Sequence, residues 1–278
     1  MIAEYDSVCF WWGAMNLLAL FNIFLLGYTY NLLKKKQTEY SETVIRIRRW
    51  HFILAAIYVF GCGFRSVLPR EDLMRIVMVD SWISSIVIGR SVATIAELSF
   101  AAQWALILFE AGKGTNNRFA LTTSKIIVPI IIIAECFSWY ACTTTNYIGS
   151  SVEESLWAVA ATITIIGFIK VRPHYINQQK KFLTAGIIVG LLYVCYMVFV
   201  DVPNYVNHWI HDEAMRKTYS SFGQGLIEVA TQWTEIRTFE VWQYAMIWMT
   251  LYFSVAVWIS LFIVNSPVLD KNIMRKVK

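Results

Sequence analysis

The chain has 278 residues, of which 57% are hydrophobic, 15% are aromatic and only 15% are charged. Soluble globular domains carry about 25% charged residues, so this composition excludes a soluble enzyme, a nucleic-acid-binding domain and a secreted disulfide scaffold. We therefore predict an all-α, polytopic membrane protein. Its formal net charge of +5 must then be explained by where the charges fall along the chain.

Seven segments are long and apolar enough to cross a bilayer core of about 30 Å, which takes about 20 helical residues. These predicted spans are 8–33, 50–68, 82–110, 119–142, 152–171, 182–202 and 241–264. The sequence shows no internal repeat and no low-complexity linker. Residues 1–278 are therefore predicted to form a single domain, a seven-transmembrane helix bundle.

Two connections between the spans stand out. Residues 70–79 are polar on one side and apolar on the other, and we expect them to lie in the membrane interface or to prolong the third span. The connection 203–240 is much longer than the others, and long connections in compact domains are often functional. Its second half, 220–240, mixes apolar and polar residues in a pattern that predicts an amphipathic helix on the outer surface. Such a helix could cap the mouth of the bundle.

The positions of lysine and arginine predict the orientation, because cytoplasmic connections are enriched in them. If the N-terminus is outside, the inner connections and the C-terminus hold 17 of the 24 basic residues, and the outer segments hold 13 of the 19 acidic residues. We therefore predict the N-terminus outside and the C-terminus cytoplasmic. The positive net charge is then a basic cytoplasmic face against anionic lipid headgroups, which requires no nucleic-acid partner.

Among the ionisable residues of the predicted spans, three stand out by their depth, where a charge costs at least about 2.5–3.5 kcal/mol and normally has a partner. Arg90 and Glu97 are seven residues apart on the third span and share one helix face with Thr94. Glu135 on the fourth span lies at a depth similar to that of Arg90, so we predict an ion pair between these two residues. Glu97 lies deeper without an evident charged partner, and we expect its carboxyl to be protonated at neutral pH.

Two interpretations of these buried charges stay open. They either tie the helices together or line a polar pocket that opens outward. Further polar residues near the outer ends of the spans favour the pocket, whereas no comparable buried set is expected on the cytoplasmic side. The candidate ligand-binding residues are Arg65, Asp80, Arg90, Trp139, Asn146 and Asp201, and Glu153 and Glu154 lie beside the fourth-to-fifth turn. Trp139 belongs to this set because it follows Glu135 by four residues and shares its face.

A candidate metal site lies in the long outer connection. His208 and His211 are three residues apart and are followed by Asp212. On a helix the two imidazoles share one face, and with the carboxylate they could hold zinc or iron. The HExxH spacing of zinc hydrolases is absent, so a solvated interfacial helix is the competing interpretation. Unperturbed histidines titrate near pH ~6.5, which would make such a segment sensitive to pH.

Three further features restrict the cofactors and contacts. The last predicted span, 241–264, contains no lysine, so it cannot form the Schiff base that retinal requires. The five cysteines show no metal-binding spacing. Gly186 and Gly190 form a GxxxG pattern in the sixth span, which predicts a close helix contact within the bundle or between two copies of the chain.

Three functions are compatible with these residues. The first is a binding or transport protein, with an outward-facing polar pocket for a small or amphiphilic ligand. The second is a membrane-embedded enzyme acting on a lipid or isoprenoid, with Glu97 as the general acid and Glu135 or Glu154 as the base. The third is a structural subunit. The corresponding partners are the lipid bilayer, the ligand, and either a second copy of the chain or another protein of a membrane complex.

Overall fold

The structure, a computed structural model, describes residues 2–38 and 40–270, with side chains from Ser7 onward. It is 83% helical, which confirms the all-α class. Seven helices are long and apolar enough to cross a membrane, in agreement with the seven predicted spans. These helices indicate an integral, multi-pass membrane protein.

The chain forms ten helices and three short strands in the part that the structure describes. The helices are α1 Ile2–Lys36, α2 Glu42–Val67, α3 Ile86–Thr115, α4 Arg118–Thr144, α5 Tyr147–Val171, α6 Asn177–Tyr196, α7 Val202–Ala214, α8 Phe222–Thr231, α9 Phe239–Leu251 and α10 Val257–Val264. The strands are β1 Arg70–Glu71, β2 Ile76–Val77 and β3 Thr234–Glu235. Turns of π-helix, Met197–Asp201 and Tyr252–Ala256, join α6 to α7 and α9 to α10 without interrupting either span.

Short polar turns connect the central spans. Asn116 and Thr145 end α3 and α4 in the left-handed conformation, with φ of 53° and 58°. Asn117 then caps α4 by accepting a hydrogen bond from the Ala120 amide. Asn146 caps α5 in the same way. These side chains satisfy amides that a helix N-terminus leaves without partners, and they fix adjacent spans as antiparallel neighbours.

Consecutive spans pack side by side from α1 to α6, and the α9–α10 span packs against α1 and α2. The α2–α3 contact is so close that a Cβ atom at Gly61 would lie 2.6 Å from the Ala96 Cβ. In α6, Gly186 and Gly190 lie against Phe168 and Ile165 of α5. The close contact predicted from the GxxxG pattern therefore lies inside the bundle.

Residues 70–79 do not prolong the third span, which begins at Ile86, but form a β-hairpin before it. Strands β1 and β2 pair antiparallel, with Arg70 opposite Val77, and β2 pairs parallel with β3. We call the end of the bundle that carries these strands the sheet end. The strands are only two residues long, and β3 comes from a distant part of the chain, so the hydropathy pattern carries no signal for them.

The connection 203–240 also differs in detail from the prediction. The sixth span continues as α7 to Ala214, and the amphipathic helix is limited to α8, which packs against α4 and α3. Arg75 of the β-hairpin pairs with Glu228 of α8 and donates to the Thr143 carbonyl of α4 at 3.2 Å. A Cβ at Gly225 would lie 2.0 Å from that same carbonyl oxygen, so glycine is needed for this close approach.

Candidate functional site

The centre of the candidate site is the guanidinium of Arg90, which is buried within the bundle. Its Nη2 donates to Glu97 Oε2 and to Glu135 Oε2, both at 2.8 Å. Glu153 Oε1 lies 3.5 Å from the same nitrogen. The predicted Arg90–Glu135 ion pair is thus confirmed. We call Arg90, Glu97, Glu135 and Glu153 the Arg90 cluster; its residues come from α3, α4 and α5.

Glu97 differs from the prediction, because it is not an isolated carboxyl. Besides Arg90, it accepts a hydrogen bond from Arg65 Nη1 at 3.4 Å and one from the Tyr252 hydroxyl at 3.1 Å. Both partners reach it from other spans, α2 and the π-helical turn after α9. The Arg65 guanidinium in turn lies 5.6 Å from the centre of the Trp248 ring. Glu97 is therefore a junction between three spans.

Glu135 is held by neighbours on two helices. Its Oε2 accepts from Thr94 Oγ1 at 2.6 Å, and Thr94 Oγ1 in turn accepts from Trp139 Nε1 at 3.2 Å. Trp139 therefore contacts this network, as its spacing from Glu135 suggests. The other carboxylate oxygen, Oε1, is buried and has no hydrogen-bond partner among the described residues. Glu135 thus keeps one acceptor free at the centre of the site.

The two acidic residues of α5 have different positions. Helix α5 begins at Tyr147, five residues before the predicted span, so Glu153 lies in its second turn, and its side chain reaches Arg90. Glu154 lies beside the cluster, where its carboxyl interacts electrostatically with Glu153 and Asp201. Asp201 lies in the π-helical turn after α6 and accepts a hydrogen bond from the Tyr196 hydroxyl at 3.4 Å. Glu154 and Asp201 therefore border the Arg90 cluster without contacting its guanidinium.

Two predicted ligand-binding residues have local structural contacts instead. Asn146 is the N-cap of α5, where its side-chain oxygen accepts from the Ile148 amide at 3.0 Å. Asp80 is exposed and accepts a hydrogen bond from Trp233 Nε1 at 2.8 Å, which links the hairpin to the segment after α8. Neither residue contacts the Arg90 cluster through a hydrogen bond or ion pair that the described structure contains.

The predicted metal ligands of the outer connection do not converge. His208 stacks on the Tyr147 ring at 4.9 Å, and Asp212 pairs with Lys217 at 2.7 Å. His211 is exposed. Across residues 2–38 and 40–270, the group whose potential ligand atoms do converge is Glu97, Glu135 and Glu153, with these oxygens within 4.8 Å of one another. The carboxylate geometry that suits a cation is therefore found inside the Arg90 cluster.

A second layer of charge lies at the sheet end of the bundle, next to the Arg90 cluster. Arg70 Nε donates to Asp72 Oδ1 at 2.6 Å, and both side chains are buried. The Arg70 guanidinium lies directly over Gly89, where a Cβ would be only 1.3 Å from Nη1. Burial alone would raise the pKa of Asp72, but Arg70 and Arg65 outweigh this effect and hold that pKa below its ordinary value. Asp72 is therefore a stable counter-ion for these arginines.

Glu71, next to this pair, is expected to make the protein less stable at neutral and alkaline pH. Burial, reinforced by the Asp72 carboxylate, raises the pKa of Glu71 from 4.5 to about 7. The folded protein therefore binds this proton more tightly than the unfolded chain, and stability falls as the pH rises from 4.5 to 7. We expect Glu71→Gln to increase the free energy of unfolding at pH 8 by about 1–3 kcal/mol, because the side chain is only partly exposed.

The measurement is denaturant unfolding in mild detergent at pH 4.5 and pH 8. The variant should match the parent at pH 4.5 and exceed it at pH 8. Glu240→Gln, which changes an exposed carboxyl at the start of α9, should show no such difference. Equal stability of Glu71→Gln and the parent at pH 8 would contradict the assignment.

A second buried polar group lies at the end of the bundle opposite the sheet end, contrary to the expectation that this side has none. Arg48 Nη2 lies 3.7 Å from Glu110 Oε2, and Gln103 Nε2 donates to the carbonyls of His51 and Ser260 at 3.1 and 3.0 Å. We call these five residues the Arg48 cluster. All of them are buried, and they come from α2, α3 and α10.

The segment after α10 covers the Arg48 cluster. Arg48 donates to Ser266 Oγ at 3.0 Å and to the Pro267 carbonyl at 3.2 Å. Gln179 donates to the Val268 carbonyl at 2.8 Å, and Leu269 is fully buried. The chain therefore folds back across this end of the bundle, which the sequence does not indicate.

The fold and the site together define an integral, multi-pass membrane protein with ionisable side chains buried at two levels of a helix bundle. Comparison of the chain with protein-family models, curated proteins and solved structures finds no match. Two surface grooves, between α5 and α6 and between α1 and α2, are lined almost entirely by apolar residues and contain none of the cluster residues. The buried charges are thus the polar feature on which a function can be based.

Proposed function

We propose that this protein binds a small ligand with a positively charged group at the Arg90 cluster, and transports it across the membrane. The observation that carries the proposal is the convergence of three carboxylates from three helices on one guanidinium. Charged residues at such positions in membrane proteins face the interior and commonly mark ligand and ion pathways. With the orientation predicted from the basic residues, the sheet end of the bundle faces outside, and we propose that the ligand reaches the cluster from that end.

Charge balance favours a cationic ligand. The carboxylates of Glu97, Glu135 and Glu153 outnumber the guanidiniums of Arg65 and Arg90 that pair with them. An uncompensated carboxylate inside a bundle is costly, so the site gains stability by taking up a positive charge. Arg90 then serves as the internal counter-ion that the ligand partly replaces.

The surroundings of the site supply elements that can rearrange. Tyr252, which donates to Glu97, is the first residue of a π-helical turn in the seventh span, and Asp201 is the last residue of another in the sixth. Such turns occur frequently at functional sites because they interrupt the regular hydrogen bonding of a helix. The opening movement of the bundle would then occur at these two turns.

Native mass spectrometry of the protein released from mild detergent tests the proposal. We expect the parent to carry a discrete adduct, either a metal ion or an organic cation, that Glu135→Gln loses. Glu240→Gln removes an exposed carboxyl and should retain the adduct. A bare parent mass, or an adduct that Glu135→Gln keeps, would count against ligand binding at this site and favour a structural subunit.

A second candidate function, an enzyme acting on a lipid or isoprenoid, is favoured by the free Oε1 of Glu135. A buried carboxylate oxygen without a donor can accept a proton from a substrate, and the differently bonded Glu97 can return one. Incubation with a membrane lipid extract would then yield a product of new mass in the parent and not in Glu135→Gln. A stable adduct without such a product supports binding over catalysis.

A further inference from the structure

We propose that the two buried clusters are the ends of a proton path that runs along the inner face of α2 and conducts protons across the membrane. This goes beyond the binding of a ligand, because it assigns a role to the Arg48 cluster, which the ligand does not reach. The path would be formed by Tyr252, Tyr58 and His51, between Glu97 at one end and Glu110 at the other. All five are titratable side chains.

The face of α2 that points into the bundle connects the two clusters. His51, Tyr58 and Arg65 follow one another at intervals of seven residues, which is about 10 Å or two helical turns, so they share one face. All three are buried, with relative exposures of 0%, 0% and 7%. Between His51 and Tyr58 that face of α2 carries Ala55, whose small side chain takes up little space between the two.

Buried polar atoms without a hydrogen-bond partner lie along this face and at its end. Among the described residues they are both ring nitrogens of His51, the hydroxyl of Tyr58 and Oε2 of Glu110 on α3, which has only its ion-pair contact with Arg48 at 3.7 Å. Buried polar groups are normally satisfied by protein or by ordered water. We infer that internal water molecules hydrogen-bond to these atoms and link them.

The contacts at each end fit a proton relay. At the sheet end, Tyr252 donates to Glu97, and its ring meets that of Tyr58 edge to face at 5.8 Å. At the opposite end, Arg48 on its own helix interacts electrostatically with His51, Glu110 on α3 pairs with Arg48, and the neutral Gln103 donates to the His51 carbonyl. An imidazole with both nitrogens free can accept a proton at one and release another at the other.

Each step transfers one proton from an O–H or N–H donor to a neighbouring oxygen or nitrogen. A proton that enters at Glu97 is taken up by the Tyr252 oxygen as Tyr252 gives its own hydroxyl proton to Tyr58, which gives its own proton to water. His51 accepts a proton from that water at one ring nitrogen and releases the proton of its other nitrogen to water on the side of Glu110. No other bond forms or breaks, and the arginines keep their protons. The net result is the movement of one positive charge through the bundle.

The test is proton uptake by liposomes that contain the purified protein and a pH-sensitive dye, driven by a potassium gradient and valinomycin. No ligand is added. We expect the parent to acidify the interior faster than protein-free liposomes. Positioned proton-transfer groups typically contribute about 10²–10⁴-fold, so His51→Phe and Tyr58→Phe should each slow the parent-dependent uptake at least about tenfold.

Two matched controls change the same residue types at exposed positions. His211→Phe and Tyr30→Phe should retain the parent rate. Tyr58→Phe removes only the hydroxyl, so it remains decisive if His51→Phe fails to fold. The proton path would be overturned if liposomes with the parent take up protons no faster than protein-free liposomes. It would also be overturned if both His51→Phe and Tyr58→Phe keep the parent rate.

Failure of the proton path can be told apart from failure of ligand binding at the Arg90 cluster. His51 and Tyr58 belong to no part of the carboxylate site, so their variants should keep the adduct that Glu135→Gln loses. A retained adduct with no proton uptake would leave the binding site in place and remove the path. Proton uptake without an adduct would support the path and count against the binding site.

Discussion

Replacing Arg90 with methionine is expected to lower the free energy of unfolding by about 3–5 kcal/mol, the range found when one partner of a buried ion pair is removed. The guanidinium contacts Glu97 and Glu135 at 2.8 Å and Glu153 at 3.5 Å. Its loss leaves three buried carboxylates with Arg65 as their remaining ion-pair partner. Denaturant unfolding of the purified protein in mild detergent, followed by tryptophan fluorescence, measures the effect.

Two further variants separate loss of charge pairing from loss of volume. Arg118→Met makes the same change at an exposed position at the start of α4 and should alter stability little. Adding Glu135→Gln to Arg90→Met removes one stranded charge, so the double variant should recover part of the lost stability. If Arg90→Met is as stable as the parent, the ion pairs of this cluster do not stabilise the fold.

The elements of this fold that follow from local sequence are the spans and the contacts between neighbouring helices. Long apolar runs define seven helices because a bilayer requires about 20 helical residues each. The Arg90–Glu135 pair follows as well, since α3 and α4 are joined by a short turn and the two residues lie at similar depths. Trp139 joins them because a spacing of four residues keeps it on the face of Glu135.

The lateral order of the spans cannot be obtained in this way. Glu97 meets Arg65 and Tyr252, which lie on spans far apart in the sequence. Hydropathy gives the length of a span but does not show which other spans pack against it. A buried charged residue such as Glu97, with no partner on the adjacent spans, is therefore interpreted as isolated. The contact of Glu153 with Arg90 is missed for the same reason, because it joins α5 to α3, which is not its neighbour in the sequence.

The Arg48 cluster escapes prediction because its charged members lie near the ends of their spans. There, charged residues normally reach the lipid headgroups, and nothing in the sequence of Arg48 or Glu110 indicates burial. Their burial depends on the segment after α10, which folds back and supplies Ser266 and the Pro267 carbonyl as hydrogen-bond acceptors. The small sheet is unpredictable for the same reason, since its third strand comes from a distant part of the chain.

Replacing Arg48 with methionine is expected to lower the free energy of unfolding by about 2–3 kcal/mol, because it removes hydrogen bonds from a charged donor and leaves buried acceptors without partners. The acceptors are Ser266 Oγ and the Pro267 carbonyl, and Glu110 loses its ion pair at 3.7 Å. The segment after α10 should also detach more readily. Limited proteolysis, analysed by intact-mass measurement, would then show faster cleavage after α10 than in the parent.

The neighbouring Arg49 provides the matched control, because it lies one residue further along α2 and is exposed. Arg49→Met changes the same net charge on the same helix but should keep both the parent stability and the parent cleavage rate. A result in which the two variants behave alike would mean that the contacts of Arg48 with the folded-back segment contribute nothing measurable. A loss confined to Arg48→Met would instead identify the segment as part of the cooperative fold, held in place from inside the bundle.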